Sequence, residues 1–131
     1  MKSKSCPPAR MKTLVVEDDR DLLELITRIL EQRGHAVDAA TDGETAVRLA
    51  CANRYDLIIL DLILPDSDGV ILHGRLKKVA PNLEGKTIFM TGFTSQQPVI
   101  DYLRSLSAVF LHKPFGPEDL VRAVEKVSLP R

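Results

Sequence analysis

Short apolar runs alternate along this chain with segments that have the hydrophobic periodicity of a helix. Most of the apolar runs are rich in Val, Ile, Leu and Phe, as buried strands are, and they lie at 12–16, 35–40, 56–60, 86–91 and 108–112. The segments that follow them space apolar residues by three and four positions, and they lie at 19–34, 42–54, 69–80, 95–106 and 116–127. Five strands that alternate with five helices predict an α/β fold, a doubly wound five-stranded parallel sheet with helices on both faces.

The composition limits the partners that we expect for this chain. Its 131 residues are near the usual size of one domain, and its 18 basic residues balance its 18 acidic residues. The charge therefore predicts no direct contact with nucleic acid or an anionic membrane, and no apolar run approaches the roughly 18 residues that span a bilayer. We expect a flexible N-terminal tail at 1–10 and one domain at 11–129. Because Cys6 and Cys51 form no paired motif, we also expect free thiols and a cytoplasmic protein.

A single acidic residue interrupts the most apolar stretch of the chain, LIILDLIL at 57–64. This residue, Asp61, directly follows the predicted third strand, and an unpaired carboxylate buried in a strand would be very unfavourable. In open parallel sheets, ligands bind at the carboxyl ends of the strands. We therefore expect Asp61 to lie at that end of the sheet, where it need not be buried.

Other reactive side chains follow the other strands. Glu17 and Asp18 come after the first strand, Thr91 ends the fourth, and Lys113 follows the fifth. If these strands are neighbours, several carboxylates meet and repel one another unless a cation intervenes. Mg²⁺ suits such a site, since it prefers one or two protein carboxylates, several waters and a phosphate. An Asp in that setting can be a nucleophile that forms an aspartyl phosphate, with Thr91 and Lys113 as donors to the phosphate oxygens.

Four short motifs lie at these strand ends in a fixed order: LVVEDD, LDLILPDSDG, MTG and HKPF. With these motifs the chain resembles the receiver domains of two-component response regulators, over roughly residues 12–128. The resemblance implies a flavodoxin-like three-layer sandwich with strand order 2-1-3-4-5. It also implies a Mg²⁺-dependent phosphoacceptor that takes a phosphoryl group from a histidine kinase or a histidine phosphotransfer protein onto Asp61. Such a domain catalyses its own phosphorylation and dephosphorylation and is not an enzyme with a separate substrate.

The same resemblance implies a metal-binding role for four residues. Asp18 is expected to bind Mg²⁺ directly, and Glu17 is expected to act mainly through metal-bound water. Asp61 and the backbone carbonyl of Ile63 complete the implied protein ligands.

The phosphoryl group has its own implied contacts. Thr91 is expected to donate a hydrogen bond to it and Lys113 to pair with it, while Leu62 and Gly92 contribute backbone contacts. Because Gly92 has no side chain, its N–H can approach the phosphate closely. The resemblance also predicts that the Lys113–Pro114 peptide bond is cis, although most X–Pro bonds are trans.

Switching is implied to pass through Phe110, the aromatic residue of the fifth strand. Because a Phe ring has no hydroxyl to satisfy, we expect Phe110 to be largely buried even without phosphate. Phosphorylation is expected to change the face formed by the fourth helix, the fifth strand and the fifth helix. This face is also a candidate homodimer interface.

Three apolar residues depart from the commonest receiver pattern: Ile63, Phe93 and Phe110, the last of which replaces the more familiar Tyr. Ile63 and Phe93 flank the implied approach of the water that hydrolyses the aspartyl phosphate, at positions where polar residues are frequent. Large apolar side chains exclude that water and cannot orient it. We therefore predict slower hydrolysis than in the double variant Ile63→Asn, Phe93→Glu, by roughly one to two powers of ten.

Other classes of protein fit the sequence less well. A degenerate receiver that serves only for protein contacts is the main alternative. A haloacid-dehalogenase-type phosphatase would carry a second Asp where this chain has Ile63, and the acidic EDDRD has the wrong charge for an FMN phosphate loop. The origin of the domain is open between a stand-alone receiver, part of a longer regulator and a hybrid histidine kinase, to whose receivers the stretch EGKTIFMTG is similar.

The remaining polar residues are predicted to have structural roles. Asp19 and Asp68 are expected to cap helices, and Asp66 is expected to shape the loop before the third helix. The three histidines lack the spacing of metal ligands and are expected to have packing or surface roles.

Overall fold

The computed structural model describes residues 10–92, 97–106 and 108–128. Several expectations therefore lie wholly or partly outside the described residues: the tail at 1–10 with the thiol of Cys6, the position of Phe93 and the domain end at residue 129. The predicted start of the fourth helix at residue 95 also falls outside them.

The described chain forms the predicted alternation of strands and helices. The strands of the main sheet are β1 (Lys12–Val16), β2 (Ala36–Ala40), β3 (Leu57–Asp61), β4 (Thr87–Thr91) and β5 (Val109–His112). The helices are α1 (Arg20–Gln32), α2 (Gly43–Ala52), α3 (Gly69–Val79), α4 (Gln97–Ser105) and α5 (Pro117–Ser128).

All strands of the main sheet are parallel, and their order is β2-β1-β3-β4-β5. The predicted fold class and strand order are therefore confirmed. The register aligns the carboxyl ends of the central strands, because Val16 pairs with Leu60, Asp61 pairs with Met90 and Thr91 pairs with His112. Residues that directly follow these strands must consequently lie close together.

Two hydrophobic cores lie on opposite faces of the sheet. Successive strand residues alternate between the two, so that Leu14 and Val16 face one core and Val15 faces the other. The first core contains residues of α2, α3 and α4, and the second contains residues of α1 and α5. Because both faces are covered, the middle residues of the central strands are apolar on both sides, and polar residues lie near the strand ends.

Local signals in the sequence define the helix ends. The Asp19 side chain accepts hydrogen bonds from the first-turn N–H groups of α1, and the Asp68 side chain does the same for α3. Both predicted caps are confirmed. Gly34 ends the segment after α1 with a φ of +91°, a conformation that favours glycine.

Two short elements were not predicted from the sequence. Residues Ile63–Leu64 and Ser67–Asp68 form a small antiparallel pair after β3, and Pro81–Leu83 forms one 3₁₀ turn after α3. Elements of two or three residues are too short for a hydrophobic period to show. We call the first of these, together with its flanking residues, the 62–69 hairpin.

Candidate phosphoacceptor site

The predicted reactive side chains converge at the carboxyl end of the sheet. Glu17 follows β1, Asp61 ends β3, Thr91 ends β4 and Lys113 follows β5. Single carboxylate oxygens of Glu17, Asp18 and Asp61 all lie within 4.8 Å of one another. We call the group formed by Glu17, Asp18, Asp61 and Lys113 the acidic site.

Lys113 joins two carboxylates of the acidic site. Its Nζ lies 2.7 Å from Asp61 Oδ2 and 2.8 Å from Glu17 Oε1. Burial alone would lower the pKa of Lys113, but its hydrogen bonds and charge interactions with Asp61 and Glu17 outweigh this effect, and the pKa is raised. The side chain is therefore a firmly protonated ammonium between two acids.

Glu17 is fully buried, which is unusual for a carboxylate. Its Oε2 accepts a hydrogen bond from the Asp19 N–H at 3.1 Å, whereas its Oε1 has an ion pair with Lys113 but no contact in hydrogen-bond geometry among the described residues. Burial raises the pKa of Glu17 to about 7, although the Lys113 ammonium opposes this rise. The site therefore holds a buried acid that further positive charge would stabilise in its ionised form.

Asp61 is more buried than its position at a strand end predicted. Its relative exposure is 4%. Burial of the carboxylate is tolerated because Oδ1 accepts a hydrogen bond from the Ile63 N–H at 2.9 Å and Oδ2 pairs with Lys113. The Asp61 carboxylate can therefore be buried at the end of an apolar strand, because both of its oxygens have partners within the protein.

The site residues fit a hard divalent cation. Three carboxylates converge, and Asp18 is exposed so that waters can reach the cluster. One buried oxygen, Glu17 Oε1, accepts no hydrogen bond from the part of the chain that the structure describes. Mg²⁺ prefers this combination of a few protein oxygens and several waters.

The remaining predicted contacts lie around Asp61. Thr91 is buried, and its carbonyl oxygen accepts a hydrogen bond from the Lys113 N–H at 2.7 Å, which ties the loop after β5 to the end of β4. The Leu62 N–H donates to the Met90 carbonyl at 3.2 Å. A Cβ at Gly92 would meet no heavy atom within 4 Å among the described residues, so none of those residues requires glycine there. The Lys113–Pro114 bond is cis, as predicted.

The prediction that Phe110 is largely buried is wrong. Phe110 is 43% exposed, and its ring lies against that of His112 with the centroids 6.2 Å apart. It is in register with Phe89, but Phe89 is buried with its ring against that of His73, whereas Phe110 stands on the last strand of the described sheet. Leu111, on the opposite face of β5, enters the core with α1 and α5 instead.

One contact near the site was not found from the sequence. Asp66, at the tip of the 62–69 hairpin, accepts hydrogen bonds from the Gly43 and Glu44 N–H groups of α2. The partners are 23 and 22 residues apart in sequence, and no local pattern joins them. The turn residues Pro65 and Asp66, with Gly69 close behind, predicted that Asp66 shapes the loop, but they did not indicate which residues Asp66 would contact.

Comparison with known proteins identifies the family. The response regulator receiver domain model matches residues 13–125. The response regulator receiver protein CpdR of Brucella abortus is 31% identical over 118 residues, which cover 90% of this chain and 97% of that protein. The receiver domain of the Francisella response regulator 1452 has a TM-score of 0.77 and 31% identity, over 91% of this chain and 97% of that one.

The chain therefore belongs to the response regulator receiver domain family of two-component systems. The phosphoacceptor role is standard for this family, whose members bind Mg²⁺ at an acidic pocket and interact with histidine kinases or phosphotransfer proteins. The chain spans about half the length of several curated relatives, such as the transcriptional regulatory protein RprY of Bacteroides fragilis, with 28% identity over 90% of this chain and 49% of that protein. Among the described residues, no helix is both long enough and apolar enough to cross a membrane.

Proposed function

We propose that this chain takes a phosphoryl group from a phosphohistidine onto Asp61, and that the acidic site performs the transfer. The observation that carries the proposal is the position of Lys113, whose ammonium pairs with Asp61 and Glu17 while Asp18 lies within 4.8 Å of both acids. In the transfer, an Asp61 carboxylate oxygen attacks phosphorus as the P–N bond breaks, and the electron pair of that bond returns to the imidazole.

The groups of the site have separate tasks in this proposal. Lys113 moves from the Asp61 carboxylate to a phosphoryl oxygen, and the Thr91 hydroxyl donates to another phosphoryl oxygen. The Gly92 N–H contributes a further donor, whereas the N–H of Leu62 already donates to the Met90 carbonyl, so Leu62 contributes only through the backbone position it gives to Ile63. Mg²⁺, held by Glu17, Asp18, Asp61 and the Ile63 carbonyl, would supply the positive charge that offsets the charge of the phosphate and the carboxylates.

The output of the domain is proposed to use the face formed by α4, β5 and α5. Phe110 supports this assignment, because a Phe that is 43% exposed next to the site has space to move when phosphate draws Lys113 and Thr91 toward it. The same face is proposed as a homodimer interface, and a histidine kinase or histidine phosphotransfer protein is the proposed phosphodonor. We also propose that residues 11–129 form the receiver unit, of which the family model covers 13–125.

A degenerate receiver that serves only for protein contacts is not favoured. Such a domain has no need to keep a fully buried Glu17 and an ion-paired Lys113 around Asp61, an arrangement that is unfavourable without a function.

Intact-protein mass spectrometry tests the proposal. Incubation with acetyl phosphate or phosphoramidate and Mg²⁺ is expected to add one phosphoryl group to the native chain and none to Asp61→Asn. Asp56→Asn is the matched control, since Asp56 is an exposed residue before the opposite end of β3 and its side chain accepts a hydrogen bond from the Lys12 N–H. An adduct that persists in Asp61→Asn would refute the assignment.

A further inference from the structure

The N-terminus of α2 is capped by two aspartates from different parts of the chain. Asp42 is the local cap, and its side chain accepts a hydrogen bond from the Thr45 N–H at 2.7 Å. Asp66 comes from the 62–69 hairpin, and its two oxygens lie 2.9 Å from the Gly43 N and 3.3 Å from the Glu44 N. N–H groups in the first turn of a helix have no partner within the helix, so both carboxylates satisfy donors that would otherwise need water.

The hairpin packs directly against this helix end. A Cβ on Gly43 would overlap the Ser67 side chain, so the glycine permits the close approach. The hydrogen bonds that Asp66 accepts lower the pKa of its carboxyl, and the one from the Gly43 N–H contributes most. Beyond the hairpin, Arg75 of α3 pairs with Glu44 of α2 at 2.7 Å. The tip of the hairpin is thus held against α2 by the Asp66 hydrogen bonds and by the close approach of Ser67 to Gly43.

The base of the same hairpin forms part of the acidic site. Its two short strands pair Ile63 with Asp68 and Leu64 with Ser67, and the Gly69 N–H donates to the Leu62 carbonyl at 3.1 Å. At the base, the Ile63 N–H donates to Asp61 Oδ1. A hairpin fixed at its tip and paired along its length transmits that constraint to its base.

We propose that Asp66 is a positioning residue for the acidic site: by anchoring the hairpin tip on α2, it fixes the backbone of Leu62 and Ile63 beside Asp61 and so strengthens Mg²⁺ binding. The inference rests on the proposed function, in which the Ile63 carbonyl is a metal ligand. Because the anchored hairpin already holds the Ile63 carbonyl in place, Mg²⁺ binding does not have to order this ligand. The saved conformational entropy increases the affinity for Mg²⁺.

Mg²⁺ titration of the full chain, followed by calorimetry or backbone chemical shifts without any phosphodonor, tests the proposal. Asp66→Ala is expected to raise the Kd for Mg²⁺ by roughly threefold to tenfold, at or below the lower end of outer-shell effects on metal sites. Asp42→Ala is the matched control, because it removes the same charge and a cap from the same helix terminus but leaves the hairpin anchored. It is expected to lower the thermal stability and to leave the Kd unchanged.

Two further variants separate charge and folding from positioning. Asp66→Asn loses the charge but keeps an acceptor for the Gly43 N–H, and it is expected to retain most of the native affinity. Gly43→Ala keeps Asp66 but pushes on Ser67, and it is expected to weaken Mg²⁺ binding as Asp66→Ala does. Native affinity in Asp66→Ala, or equal weakening in Asp42→Ala, would overturn the positioning role. Failure of the native chain to bind Mg²⁺ at all would instead overturn the proposed function, and this inference with it.

Discussion

Lys113 Nζ lies 2.7 Å from Asp61 Oδ2 across 52 residues of sequence, and the same ammonium lies 2.8 Å from the buried Glu17. One cation therefore holds two acids that would otherwise repel each other within the protein. Because that cation comes from a side chain, it competes with any metal ion for the same carboxylates.

We predict that Lys113→Met lowers the free energy of unfolding by about 1–3 kcal/mol without Mg²⁺, since it leaves two buried acids without their cation. The same variant is expected to bind Mg²⁺ more tightly than the native chain and to gain more stability from it, because the competing ammonium is gone. Urea unfolding with and without Mg²⁺ measures both effects. Lys86→Met is the control, since Lys86 lies before β4 at the opposite end of the sheet and donates to the Val127 carbonyl. An equal response to Mg²⁺ in both variants would contradict the competition.

The second prediction concerns two buried threonines. Thr13 is fully buried and its hydroxyl has no partner among the described residues, whereas the Thr87 hydroxyl donates to the Leu83 carbonyl at 3.2 Å. Replacing an unsatisfied hydroxyl by a methyl group of the same shape removes a desolvation penalty, and replacing a bonded one removes a hydrogen bond. We expect Thr13→Val to raise the free energy of unfolding by about 1 kcal/mol and Thr87→Val to lower it by about 1 kcal/mol. Denaturant unfolding of the two variants is the measurement, and a loss of stability in Thr13→Val would show that its hydroxyl has a partner.

The third prediction is a pH dependence of stability. His73 is buried against Phe89, its Nδ1 lies 2.8 Å from the Tyr102 hydroxyl, and burial lowers its pKa to about 4, with Lys77 adding to the effect and Glu84 opposing it. Between about pH 6.5 and pH 4, the unfolded chain therefore binds a proton at this residue that the folded chain does not bind. The contribution of neutral His73 to the free energy of unfolding is fully present above pH 6.5. It is lost as the pH falls toward 4, and the loss is roughly 3 kcal/mol in all.

Unfolding free energies measured across this range check the third prediction. His73→Gln is expected to remove the part of the pH dependence between pH 6.5 and pH 4 that His73 contributes, because glutamine does not titrate. His112→Gln, which changes an exposed histidine, is the control and is expected to keep the native slope. The idea fails if His73→Gln and the native chain lose stability in parallel.

The fourth prediction is the lifetime of the phosphorylated state. The Ile63 N–H donates to Asp61 Oδ1 at 2.9 Å and the Ile63 side chain is 56% exposed, so this side chain is free to cover the approach of water to the phosphoryl group. We expect Ile63→Asn to speed the loss of phosphate roughly tenfold, which corresponds to about 1.4 kcal/mol in the barrier. Phe93, which the sequence also predicts to flank the approach of this water, lies outside the described residues.

Decay of the aspartyl phosphate in Mg²⁺ without a kinase measures this lifetime. Ile71→Asn is the matched control, since Ile71 is another exposed isoleucine, 65% exposed, and lies in the first turn of α3 rather than beside Asp61. Equal decay in the native chain and in Ile63→Asn would show that this residue does not limit access of water.

The sequence by itself determined the fold and the place of the site. Apolar runs and helical periods are local patterns, and their alternation leaves few topologies other than a parallel sheet covered on both faces. Once the strands are parallel neighbours, the residues after β1, β3, β4 and β5 must meet at one end of the sheet, so Glu17, Asp61 and Lys113 could be placed together without coordinates.

The tertiary structure alone decided the contacts that join distant residues or depend on which side of a strand is covered. Phe89 and Phe110 occupy paired positions in adjacent strands, yet Phe89 is buried and Phe110 is 43% exposed, because β4 lies between two strands whereas β5 is the last strand of the described sheet. The anchoring of Asp66 on Gly43 depends on how closely the hairpin packs on α2, and the burial of Asp61 depends on the reach of the Lys113 side chain. Such contacts are set by packing distances and rotamers, and neither leaves a period in the sequence.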